Sequence, residues 1–350
     1  MLKRKDCTLF IVGGVLFLGS LGAVLAGLSP VVVFVLTAVA LAAMAALVGE
    51  ATDHLGNHFS PGATGAIQSG LGNLPELFFG IFALNAGLNT VVQAALIGSI
   101  LANGLLVLGI AFIVGGLKHG PQRFGREGSS RMALFFVLAV AIFAIPSITA
   151  HLHVPVAGHE KVLSIIGAIV LLAVFALSIP ATLKGETGEV ERGDAEHGWP
   201  TWLIAVVLLL AGVGSAFVAD WFVSALTPAL HTMHINPVWA SLVIVSISGN
   251  AVENFVGIQM MAKNKADYAV NVVLQSVVQI PYLLMPALVL LSAIFGLGAL
   301  TLVFSPLLLV ILVLSAVVIT LVVIDGESTW LEGACLVALY VMIAAAFWWG

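Results

Sequence analysis

Ser69-Gly70-Leu71-Gly72-Asn73-Leu74-Pro75-Glu76 and Ser246-Ile247-Ser248-Gly249-Asn250-Ala251-Val252-Glu253 are two copies of one pattern, set 177 residues apart. The register runs on at the same offset, with Gly80 answering to Gly257 and Ser99 to Ser276. In a helix Ser69, Gly72, Asn73, Glu76 and Gly80 recur at three- and four-residue steps, so they share one face, and the second copy does the same. Each copy sets a carboxylate in apolar sequence. An ionised carboxylate in hydrocarbon is too costly to stand alone, so Glu76 and Glu253 are expected to face each other or a wet cavity. Glycine beside each would let another backbone approach, and Pro75 interrupts its helix just before the glutamate. Two carboxylates with freed carbonyls and side-chain amides make an oxygen shell suited to Ca2+.

The surroundings are those of a membrane protein. Of 350 residues, 61% are hydrophobic and 8% charged, where a soluble domain carries about a quarter charged residues. A membrane-spanning helix needs about 20 mostly apolar residues. Eleven such segments are predicted, at roughly 8–27, 30–56, 62–87, 89–117, 130–150, 159–183, 199–230, 236–263, 266–295, 300–324 and 329–349. Turn residues punctuate them, among them Ser60-Pro61-Gly62, Gly120-Pro121, Asn236-Pro237 and Asp325-Gly326. The first is read as a membrane helix anchored by Lys3-Arg4-Lys5 rather than a cleaved signal, its apolar run being longer than a typical signal core. Cys7 and Cys335 match no metal or redox spacing and are expected to be packed thiols. The net charge of −5 is spread over loops and points to no nucleic-acid partner.

Loop charges orient the chain. With the N-terminus in the cytoplasm, only Lys161 of the 12 Lys and Arg residues falls outside, as the positive-inside rule demands. The C-terminus then lies outside. A long polar stretch, 184–197, holds Glu186, Glu189, Glu191, Asp194 and Glu196; it is either a solvated linker or a cytoplasmic surface that attracts cations. The expected fold is an all-α membrane protein of eleven helices: an N-terminal helix (1–28), a first five-helix repeat (29–183), an acidic cytoplasmic linker (184–198) and a second repeat (199–350). A five-span unit is odd-numbered, so the second copy must enter the membrane in the opposite sense. Inverted repeats of this kind mark secondary transporters, whose substrate site lies at the repeat interface near the midplane.

The run Gly72-Asn73-Leu74-Pro75-Glu76, followed by Val91 to Asn103, resembles the first signature of the Ca2+/H+ antiporters, the cation/proton exchanger branch of the cation/Ca2+ exchanger superfamily. Gly249 to Glu253, then Lys263-Asn264-Lys265 and Gln279-Ile280, resembles the second. Leu47-Val48-Gly49-Glu50-Ala51-Thr52 resembles the acidic end of the helix before the first signature. The likeness covers nearly the whole chain from about residue 30. It departs at Asn254, where a histidine usually follows the glutamate, at Gln275 in place of a glycine, and at Val277-Val278 in place of small polar residues. The resemblance implies that Glu76 and Glu253 bind the cation and carry protons. The transported ions would be Ca2+ and H+, without a resident cofactor, in a multi-pass protein of a prokaryotic cytoplasmic membrane.

The other polar residues admit two readings each. Asn73 and Asn250, with the carbonyls of Gly72 and Gly249, either bind the cation or hold the broken backbone. Ser99, Asn103, Ser276 and Gln279 are ligands or hydrogen bonds between helices. Glu50 and Asp220 are proton way-stations or interface acids. His54, His58, His151, His153, His231 and His234 are expected to be solvated. A Na+-coupled Ca2+ exchanger of the same fold is the alternative. It would want further acids or hydroxyls, and Gln275-Ser276-Val277-Val278-Gln279 has no acid. No HExxH, Gly-x-Ser-x-Gly or nucleotide loop points to an enzyme.

Overall fold

The computed structural model describes residues 4–56, 71–152, 158–185 and 199–349. Its helices are α1 (Arg4–Leu25), α2 (Pro30–Gly56), α3 (Leu74–Asn85), α4 (Asn89–His119), α5 (Arg126–His151), α6 (Glu160–Gly185), α7 (Thr201–Met233), α8 (Pro237–Gly249), α9 (Ala251–Ala262), α10 (Ala266–Phe295), α11 (Pro306–Val323) and α12 (Trp330–Trp348). Among the described residues nine helices are long and apolar enough to cross a membrane, or ten if the bent pair α8–α9 counts as one span. The expected third span, 62–87, begins in residues outside those described, and its described part is the shorter helix α3. The acidic stretch 186–197 also lies outside them.

The chain forms two compact units: Met1–Ala86 with Leu172–His234, and Gly87–Leu171 with Ile235–Gly350. In the first, α2 and α7 pack along their length. Phe34 stacks on Phe222 with centroids 5.0 Å apart, and Phe79 of α3 meets Phe222 edge-on at 5.8 Å. Gly214 gives Met44 room, since an added Cβ would lie 3.0 Å from its sulfur. Such small-residue seams drive helix association in lipid, where apolar burial alone gives no advantage.

In the second unit α4 and α12 cross at Gly109 and Gly333, where a Cβ on Gly109 would stand 2.7 Å from the Gly333 carbonyl oxygen. A two-stranded antiparallel ribbon joins the loops after α4 and α11: β1 (Gln122–Arg123) pairs with β2 (Glu327–Ser328). Beside it Gly125 donates its N–H to Asp267 Oδ1 at 2.7 Å, and His119 Nε2 lies 3.1 Å from the Ala262 carbonyl. The loops near residues 120, 264 and 326 therefore share one end of this unit, as the alternation of spans requires. At the other end Gln93 donates to the Thr301 and Val303 carbonyls. Neither Cys7 nor Cys335 is a packed thiol; both lie on exposed faces, which a thiol in a lipid-facing helix tolerates.

Candidate functional site

The two motif copies break their helices at the same residue. Asn73 (φ −92°, ψ 13°) and Asn250 (φ −100°, ψ 21°) leave helical geometry for the sparsely occupied bridge region, where many active-site residues sit. Pro75 explains the first break, because its ring removes a donor and is best tolerated in a first helical turn. The second lacks a proline and follows Gly249. Across it the axis turns by 63° between Pro237–Gly249 and Glu253–Ala262. Glu76 and Glu253 thereby fall in the first turns of α3 and α9, where the partial positive end of a helix favours a carboxylate. Both are half-buried.

Within the second unit Asn250 is the hub of a buried polar network. Its Oδ1 accepts from Asn103 Nδ2 at 2.9 Å and from Ser276 Oγ at 3.3 Å. Its Nδ2 donates to Ser99 Oγ and to the Ser246 carbonyl, each at 3.0 Å. Asn103 Nδ2 also donates to Ser276 Oγ at 2.7 Å. The bond to a carbonyl fixes which Asn250 atom is nitrogen, and that in turn requires Asn103 to present its nitrogen to Asn250 Oδ1. Asn103 Oδ1 is left buried without a hydrogen-bond partner. Four of the expected residues thus converge: Ser99, Asn103, Asn250 and Ser276. Gln279 is half-buried on the next turn of α10.

Two features here were not readable in the residues. Asn103 lies in a π-helical turn, Ala102–Val107, and Gln279 immediately precedes another, Ile280–Leu284. Such turns insert a residue into a helix and recur at functional sites. Ser246, quoted only as part of the motif, supplies the carbonyl that holds Asn250, while its hydroxyl bonds back to the Leu242 carbonyl. Asn254 Oδ1 is likewise buried with no hydrogen-bond partner.

In the first unit Asn73 is buried, and among the described residues a Cβ on Gly72 would meet no atom within 4 Å. Asp220 is exposed on α7. Glu50 meets Lys5 Nζ at 2.9 Å and His54 Nε2 at 3.9 Å. His54 is not the solvated residue expected: its side chain is 14% exposed, and its ring stacks on Trp199 at 4.4 Å. His58 and His153 lie outside the described residues.

The family described as Sodium/calcium exchanger protein matches residues 29–183 and 203–349. A Ca2+/H+ antiporter of Aphanothece halophytica is 31% identical over 335 residues, covering 90% of this chain and 89% of the relative. The Ca2+/H+ antiporter ChaA of Bacillus subtilis is 31% identical over 325 residues, covering 90% and 92%. The solved structure of native YfkE superposes with a TM-score of 0.83 at 30% identity, over 98% of this chain and 100% of that one. A likeness of fold alone extends to the H+/Ca2+ exchanger CAX, with a TM-score of 0.79 at 17% identity. Matched over both halves of its length, the chain belongs to the sodium/calcium exchanger protein family.

Proposed function

We propose that this protein is a secondary active antiporter that exchanges Ca2+ for protons across a membrane, with Glu76 and Glu253 carrying the exchange. The similarity to Ca2+/H+ antiporters over nine-tenths of the chain supports the reaction. The observation that carries the site assignment is the shared backbone break at Asn73 and Asn250, each three residues before its glutamate. A break frees carbonyls for a hard cation, and the two carboxylates balance its charge. Asn103, with an amide oxygen that accepts no hydrogen bond, is assigned as a neutral ligand. Asn73, the carbonyls of Gly72 and Gly249, and Gln279 complete the set. Asn250, Ser99 and Ser276, joined to one another and to Asn103 by hydrogen bonds, serve first to hold the break in shape.

The fuller architecture belongs to the same proposal. Eleven spans, an N-terminal helix before two inverted five-helix repeats, a cytoplasmic N-terminus and an outside C-terminus fit the loop charges. The protein would then reside in a prokaryotic cytoplasmic membrane. The coupling is electrostatic: either Ca2+ or protons neutralise the two glutamates, and an empty, doubly charged site is held back by the cost of burying bare charge. A third proton, on Glu50 or Asp220, would make each cycle move one net charge.

Ion flux in proteoliposomes tests this directly. A pH gradient should drive Ca2+ movement and a Na+ gradient should not. Glu76→Gln and Glu253→Gln should each abolish the flux in a protein that still purifies monodisperse, because Gln keeps the shape but neither titrates nor balances Ca2+. Near-normal exchange in both variants would place the substrate site elsewhere, and Na+-driven flux would favour a Na+-coupled exchanger.

A further inference from the structure

Asp6, Glu50 and His54 each present a ligand atom, and these atoms all lie within 4.8 Å of one another. We infer that they form a second cation site, separate from Glu76 and Glu253 and suited to a d-block divalent ion such as Zn2+, Mn2+ or Co2+. The three come from two helices of the first unit. Asp6 opens α1, while Glu50 and His54 stand four residues apart near the end of α2. A four-residue step places both on one helix face, the spacing that lets a helix offer two ligands to one metal.

The surrounding groups hold the donors in place. Trp199 Nε1 donates to Asp6 Oδ2 at 3.0 Å, and the same indole stacks on the His54 ring with 19° between planes. One tryptophan thus orients a carboxylate and fixes an imidazole plane, the work that outer groups do around metal ligands. Asp6 is 2% exposed and His54 is 14% exposed at its side chain, so the cluster is not a set of loose surface acids. A cation is already drawn there: Lys5 places its ammonium 2.9 Å from Glu50, and its side chain is 74% exposed. A lysine so exposed can swing away when a divalent ion displaces it.

Two oxygens and one imidazole nitrogen select the ion class. Imidazole suits zinc and its neighbours, whereas Ca2+ prefers an all-oxygen shell of six to eight ligands. Donors on such a metal sit about 3–4 Å apart, so about 1 Å of side-chain closure would be needed. The site would tie the start of α1, the end of α2 and Trp199, two residues before α7, together.

The test uses the full-length protein in detergent, stripped with chelator and titrated with Co2+, whose visible absorption reports nitrogen ligation and geometry. The Glu76→Gln/Glu253→Gln background removes the proposed exchange residues, so the outcome is independent of that assignment. One saturable equivalent is expected, with affinity reduced at least tenfold in Asp6→Asn and in His54→Gln. Lys5→Gln should bind more tightly by severalfold, because a competing charge is gone; a merely structural cluster would show no gain. If Asp6→Asn does not fold, His54→Gln and Lys5→Gln still decide. Binding unchanged in His54→Gln, no saturable equivalent in the background protein, or weaker binding in Lys5→Gln would each overturn the site.

Discussion

Asn103 shows what one side chain contributes to this site. Its amide nitrogen ties Asn250 to Ser276, and its oxygen faces no donor. A buried amide oxygen left unmatched costs about 1–3 kcal/mol, so an ion that used it would recover what the empty protein lacks. Asn103→Leu, close in size, deletes both bonds without opening a large cavity. Thermal unfolding in detergent should show a loss of about 1–3 kcal/mol, and the Ca2+ concentration for half-maximal exchange should rise about tenfold, the equivalent of one good ligand at about 1.4 kcal/mol. Loss of stability with unchanged Ca2+ affinity would make Asn103 a scaffold alone. The two glutamates and Asn103 stand out in the sequence as candidates because polar residues in apolar spans contrast with their background. The pairing of His54 with Trp199 was not. Asp6 and Trp199 are separated by 193 residues, and no local pattern encodes a contact of that range.

At the scale of elements, the proposed site rests on irregular helix. The breaks at Asn73 and Asn250 were foreseeable from glycine, asparagine and proline in apolar runs, residues that punctuate any helix. The π turns at Ala102–Val107 and Ile280–Leu284 were not, since a single inserted residue leaves composition and hydrophobicity unaltered. They matter because a π turn shifts every later side chain around the axis, and in α4 that turn begins just before Asn103. Gly98 sits one turn earlier, against α8. An added Cβ there would lie 2.7 Å from Leu242 Cα and closer still to its carbonyl oxygen. That carbonyl also accepts the Ser246 hydroxyl, so Gly98→Ala must push back the backbone that precedes the Asn250 break. Overpacking of this kind costs about 1–3 kcal/mol, and exchange should fall more than stability does. Gly104→Ala is the useful control: its Cβ would meet a flexible end, Ile319 Cδ1 at 2.5 Å, which can rotate aside. A Gly98→Ala protein with normal flux would show that α4 and α8 separate without disturbing the site.

For the whole molecule, the proposed competition of Ca2+ and protons for one pair of carboxylates sets the pH dependence, and the proposed eleven-span layout sets the sidedness. In a protein whose exposed native cysteines, Cys7 and Cys335, are replaced, single cysteines at Glu189 and Gly350 should label from opposite faces; labelling of both from outside would overturn the eleven-span layout. At low pH protons occupy Glu76 and Glu253, so more Ca2+ is needed to displace them and the half-saturating concentration rises. At high pH Ca2+ binds readily, but the site returns unprotonated. Burying two bare carboxylates on that return leg is prohibitive, so net exchange slows although binding is tight. Exchange of internal for external Ca2+ never passes through the empty state and should not slow as pH rises. Measured side by side in proteoliposomes, net Ca2+/H+ flux should therefore peak and fall with increasing pH, while Ca2+/Ca2+ exchange should rise to a plateau. Both fluxes falling together at high pH would mean that the protons act on some other group, and that the two glutamates do not by themselves couple the ions.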